Sequence, residues 1–248
     1  MADLLTSPAY SRPPIIEAVI QIRVSADADQ RAFEAIAHKL RREYPDQQPL
    51  QNFQVTIGNT GANVGISQEA HGIRVASLDQ TDIMLIEKRG ITAARLPIYT
   101  GWESLRDNAR AAWRTWKAET PRHPIERVGV RYINRIDIPI LGPAIILGQY
   151  LTIAPNAAPV TQLPMTTFTT QIAFPTINPF WAATITTTTL GQTVLPNHHS
   201  LVLDIDIART SEITINDADL WPMIDEARAL KNDLFERCIT DEARKLFS

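Results

Sequence analysis

From Gln51 to Ile98 the chain is a succession of short alternating runs, FQVTI, ANVGIS, GIRVASL, DIMLIEK and ITAARLPI, separated only by Gly, Asp or Gln. Alternation sends successive side chains to opposite sides of an extended backbone, so each run predicts a strand with one dry face. Connections this short cannot carry a crossover, which leaves antiparallel pairing as the way such strands meet. Gly58 to Gly61 reads as one of the turns.

The flanking segments add helices and further strands. After Pro13 and Pro14, IIEAVIQIRV places Ile16, Ala18, Ile20, Ile22 and Val24 on one face and Glu17, Gln21 and Arg23 on the other. Asp27 or Asp29 can cap a helix whose apolar positions Phe33, Ile36, Ala37, Leu40 and Tyr44 follow the three-four spacing, with Pro45 as its stop. Thr100 and Glu103 read as a capping box for a second helix, with Trp102, Leu105, Ala109, Ala112, Trp113 and Trp116 along one stripe. A helix laid on a sheet must bury such a stripe, so the tryptophans read as core rather than as an aromatic cage.

Between Pro139 and Pro164 one short apolar segment, AIILGQYLTI, is compatible with helix or strand. TTFTTQIAF, FWAATITTTTLGQ and SLVLDIDIA then read as strands. A last helix is predicted from near Trp221 and Pro222, burying Ile224, Ala227, Leu230, Leu234, Phe235 and Cys238, with Phe247 continuing the contact. The class is α+β: antiparallel β-sheet with about three main helices packed on one face, in a single domain over residues 1–248. Strand-helix openings in both parts suggest related halves, 1–139 and 140–248.

The chain has 248 residues, 44% of them hydrophobic, enough for a substantial core. With 24 basic and 27 acidic residues the net charge is −3, so nucleic acid is not indicated as a partner and any anion site must be local. The single cysteine, Cys238, excludes an internal disulfide and fits a reducing cytoplasm. MADLLTSPAYSRPP lacks the features of a secretory signal, and the longest apolar stretch, IPILGPAIILG, is broken and too short to span a bilayer. A cytoplasmic protein with no membrane association is expected. No cofactor is implied, because no phosphate loop, nucleophile elbow, zinc signature or dinucleotide fingerprint occurs.

Charge concentrates in one place. In ERVGVRYINRIDIP, from Glu126 to Pro139, alternation puts Arg127, Arg131 and Arg135 on one side of a strand, neighbours standing about 13 Å apart. Such a stripe suits an elongated anion, a phosphodiester or an acidic partner segment, since each guanidinium offers a planar fork. The competing expectation is that Glu17, Asp137, Asp204 and Asp206 neutralise it. Arg131, central in the strand, is then the structural member, and Arg127, nearer the strand's start, the more exposed one. Asp204 and Asp206, two residues apart on one face, have the spacing for a divalent metal, although alternate outward aspartates are common. Asn134 falls on the opposite side with Tyr132 and is expected to be buried against a loop backbone. His198 and His199, after Pro196 and Asn197, read as part of a turn.

PPIIEAVIQIRV, RVGVRYINRIDIP and DLFERCITDEARKLF together resemble a sporadically distributed, uncharacterised bacterial and archaeal protein family. Its hallmarks are an N-terminal Pro-Pro-x-x-Glu strand, a central Arg-Tyr-x-Asn-Arg strand and a C-terminal helix ending in an Ile-Thr turn. The resemblance implies a single full-length unit from variable or mobile gene content. It carries no assigned activity.

The function expected from these readings is that of a non-enzymatic interaction or regulatory protein, accessory or antitoxin-like, meeting a protein partner through its charged sheet face. The alternative is an enzyme or sensor of a phosphorylated or nucleotide ligand, with Arg127, Arg131, Arg135 and Glu17 at an anionic ligand and Asp204 with Asp206 on a metal. A homodimer is expected through threonine-rich runs such as ATITTTTL.

Overall fold

The computed structural model describes residues 10–57, 64–140, 145–156, 165–190 and 194–248, the side chains of 51–57 and 64–70 excepted. Nine strands are described: β1 (Ile15–Val24), β2 (Asp46–Ile57), β3 (Val64–Ala76), β4 (Asp82–Glu87), β5 (Gly90–Arg95), β6 (Ile125–Pro139), β7 (Thr169–Pro175), β8 (Ala182–Thr189) and β9 (His198–Arg209). With them stand helices α1 (Gln30–Leu40), α2 (Trp102–Glu119), α3 (Asp217–Cys238) and the short α4 (Asp241–Lys245). The strands form an antiparallel sheet in the order β2-β3-β4-β5-β1-β6-β9-β8-β7, and the class is α+β. Two stretches share one connectivity: a first strand (β1 or β6), then a meander whose last strand (β5 or β9) pairs beside it, then a long helix.

By compactness the chain divides into two units, one of residues 20–96 and 100–126, the other of 1–19, 97–99 and 127–248. In the first, Asp29 caps α1 by accepting from the Ala32 amide at 2.8 Å, and Phe33, Ile36, Ala37 and Leu40 are buried. Of these, Phe33, Ile36 and Leu40 each contribute roughly 1.5–3 kcal/mol on leaving water. ANVGIS and GIRVASL are not two strands but one, β3, paired along its length with β2. The expected turn at Gly58 to Gly61 lies outside the described residues. β4 returns into β5 through a tight turn ending at Gly90, whose φ is +137° and where a Cβ would stand 2.0 Å from the Ile22 carbonyl oxygen. Only glycine fits there.

Helix α2 buries Trp102, Trp113 and Trp116 as core. Its expected capping box does not form: the cap position is Gly101, at φ +125°, with no side-chain cap hydrogen bond. Thr100 lies one residue too early.

In the second unit β6 pairs antiparallel with β9, β9 with β8, and β8 with β7. Val128, Val130, Tyr132, Asn134, Ile136 and Ile138 of β6 and Leu201, Leu203, Ile205 and Ile207 of β9 are buried, and α3 packs against β9. That helix begins at Asp217, capped by Asn216, several residues before the expected Trp221, so that Leu220 and Trp221 join its buried face. Leu234, expected in the core, is only half-buried. AIILGQYLTI is neither helix nor strand where it is described: Leu147–Gln149 makes one 3-10 turn, and Leu151 bridges to Ile239. Thr240 then caps α4 by accepting from the Ala243 amide. The ATITTTTL run is β8, paired on both sides; the sheet edge belongs to β7.

Candidate functional site

The arginine stripe lies on the face of β6 turned away from Tyr132, and its guanidiniums meet carboxylates. Arg127 Nη2 stands 2.7 Å from Asp206. Arg131 donates through Nε at 2.8 Å and Nη2 at 2.6 Å to the two oxygens of Asp204. Arg135 Nε donates to Asp137 at 3.0 Å, and Ser200 donates to the other oxygen of that carboxylate at 2.5 Å. The hydrogen bonds to Asp204 hold the Arg131 guanidinium protonated above its ordinary range, and the charges of Asp206 and Glu17 add to this. Continuing outward, Thr186 and Thr184 of β8 pair with Asp204 and Asp206, and Thr169 bonds Thr188 at 2.8 Å.

The order of exposure is the reverse of the expectation. Arg131 leaves 48% of its side chain in solvent and Arg127 only 22%. Gly129 explains it: a Cβ there would lie 2.5 Å from Arg127 Nη1, so the missing side chain lets Arg127 lie flat on the sheet. Asp204 and Asp206 are engaged by the arginines, and no group of three or more His, Cys, Asp or Glu able to hold a metal occurs among the described residues. His198 and His199 open β9, and the turn falls at Asn197, at φ +57°.

The other side of β6 holds something the sequence reading passed over. Asn134, 1% exposed, donates to the carbonyl of its β9 partner Leu203 at 3.0 Å, a strand rather than a loop. That bond leaves its Oδ1 free to accept. Beside it a cavity of about 300 Å³ is lined by Tyr10, Pro14, Asn134, Arg228, Lys231 and Glu236 among others. Lys231 is 5% exposed, its Nζ lies 3.8 Å from the centre of the Tyr132 ring, and it forms no hydrogen bond or ion pair among the described residues. Burial, then the charge of Arg228, lowers its pKa to about 7, against the attraction of Glu236.

The surroundings are fixed by contrast. The buried carboxylate of Glu236 accepts from Tyr10 at 3.0 and 3.1 Å and from Arg244 Nε at 3.1 Å. Burial first and then that carboxylate push the Tyr10 phenol up to about 12. Phe247 stacks edge-on against Tyr10 at 5.4 Å. Thus PPIIEAV supplies Pro13, Pro14 and Ile15, RYINR supplies Tyr132 and Asn134, and the C-terminal helices supply Phe235, Glu236 and Arg244. All three sequence stretches singled out above converge on one cavity. A signal for Lys231 was present: it follows Ile224 by seven residues and Ala227 by four, the spacing of the buried stripe itself.

No family model and no curated protein matches the chain.

Proposed function

We propose that this chain is a non-enzymatic binding protein of the regulatory or accessory kind, and that the Lys231 cavity takes a small anionic ligand. One observation carries the reading: a lysine amine buried at a cavity wall without a hydrogen bond or ion pair among the described residues. An isolated buried ammonium is costly, and a ligand carboxylate or phosphate would relieve that cost. Arg228 lines the same cavity and adds to its positive potential. The volume sits at the small end of ligand pockets, which run from roughly 300 to 1,000 Å³.

Thermal-shift titration with inorganic phosphate, pyruvate and lactate tests this on wild type and Lys231→Gln. A rise in Tm confined to the wild type is expected. An equal rise in both proteins places the anion elsewhere and removes the proposal.

A second reading concerns the face carrying Arg131. The arginines and aspartates of that face neutralise one another, and its outer strands present threonines, which suits a polar protein partner better than a polyanion. Self-association fits the edge strand β7: no Lys, Arg, Asp or Glu occurs between Asp137 and Asp204, so no charge on β7 opposes pairing with a second copy. Membership of the resembled family is part of the same proposal; no described helix is long and apolar enough to cross a membrane.

A further inference from the structure

We propose that Lys231 holds its ligand by a reversible covalent bond, its amine condensing with the carbonyl group of a small 2-oxo acid to form an imine. This rests on the reading of the cavity as a ligand site and names the ligand class.

Three features of the geometry favour it. Among the described residues the Nζ of Lys231 has no hydrogen bond or ion pair to break before it can attack, and the Tyr132 ring covers one side of it at 3.8 Å. Arg228 lies three residues earlier on α3 and lines the same cavity, which draws a carboxylate toward the amine. Asn134 has its amide nitrogen fixed on Leu203, so Oδ1 can accept from the hydroxyl of an adduct. A desolvated lysine next to a second cation is a recognised way to make an amine nucleophilic near neutral pH. With its pKa near 7, about half of the amines lack a proton at that pH, against roughly one in a few thousand for an exposed lysine.

The step balances without a further reagent. The nitrogen lone pair adds to the carbonyl carbon as the π bond breaks onto oxygen. The oxygen gains a proton and the nitrogen loses one, giving a carbinolamine. Protonation of the hydroxyl then expels water, and the nitrogen lone pair forms the C=N bond. Addition of water reverses the sequence, and no group is oxidised or reduced.

The test is to incubate the intact protein with pyruvate, reduce with sodium borohydride and map the modified lysines by mass spectrometry. The expected result is an adduct on Lys231 at least on the order of tenfold above that on the exposed Lys39 and Lys245 at pH 7, falling away as the pH drops below about 7. Lactate, which keeps the carboxylate but has no carbonyl, should compete without being trapped. Since site and controls lie in one wild-type molecule, the result does not depend on a variant that folds. Uniform labelling, or no adduct while pyruvate and lactate both raise Tm, overturns the imine and leaves the anion site standing. No adduct together with no thermal shift removes both.

Discussion

Lys231 Nζ stands 3.8 Å from the centre of the Tyr132 ring, and the Tyr132 hydroxyl lies 2.7 Å from that of Tyr99. The ring is thus pinned at its far end by a hydrogen bond and against the Tyr99 ring by an edge-on contact at 5.7 Å. A ring so held fixes where the amine rests, at the boundary between core and cavity.

Replacing Lys231 by Met is expected to raise stability at pH 7 by on the order of 2 kcal/mol, since it removes a buried charge and keeps the length of the side chain. The pH dependence gives the sign. A lysine pKa of about 7 in the fold and 10.5 in the unfolded chain means that the unfolded state binds more protons between those values. Wild-type stability therefore gains with pH across that window, and below about 7 the penalty is complete. Urea unfolding at pH 6 and pH 9 should show the gap between variant and wild type narrowing at the higher pH; a gap that stays constant contradicts it.

On the opposite side of β6, Arg131→Ala should cost only about 1 kcal/mol, because its guanidinium is half in water despite two good bonds to Asp204. Arg127→Ala should cost more, having less solvent to replace Asp206 and a flat contact over Gly129 to lose. Chemical denaturation of the two variants side by side reads the order directly, and a larger loss at Arg131 refutes it.

Cys238 is buried, and burial pushes its thiol up to about 12. The folded protein should therefore react with a thiol reagent at pH 8 far more slowly than the urea-unfolded chain, by on the order of a hundredfold or more. Comparable rates would show that the Cys238 site opens readily.

If β7 pairs with its counterpart in a second copy, sedimentation at tens of micromolar should give a dimer, and Ile172→Lys, which puts a charge on that exposed strand, should give a monomer. A wild-type monomer at that concentration ends the proposal.

Much of the architecture was legible in the sequence because local rules agreed with tertiary ones. Phe33, Ile36, Ala37 and Leu40 follow helical spacing behind an aspartate cap, and they are what α1 buries. The arginines alternate with Val128, Val130 and Tyr132, and β6 divides along that line. The misreadings lie where two signals compete over one or two residues. Thr100 satisfies a capping pattern, but the backbone turns at Gly101. Leu234 and Lys231 both fall near the inward arc of α3, and the hydrophobic one was the natural choice. The cavity was not legible at all, because Tyr10, Asn134 and Glu236 are distant in sequence and meet only after the chain has folded.

The alternating pattern of β6 and β9 does not by itself fix how the two strands align. Sliding one past the other by two residues would keep the buried Ile, Leu and Val of both strands on the inward face, so the alternation itself does not distinguish the settings. The polar partners add to it: with Arg131 opposite Asp206 and Asn134 opposite Leu203, the ion pairs of Arg127 and Arg131 and the bond from Asn134 to Leu203 all form together. The polar side chains on the two faces of β6 thus stitch it to β9 in the alignment that also sets Tyr132 beneath Lys231.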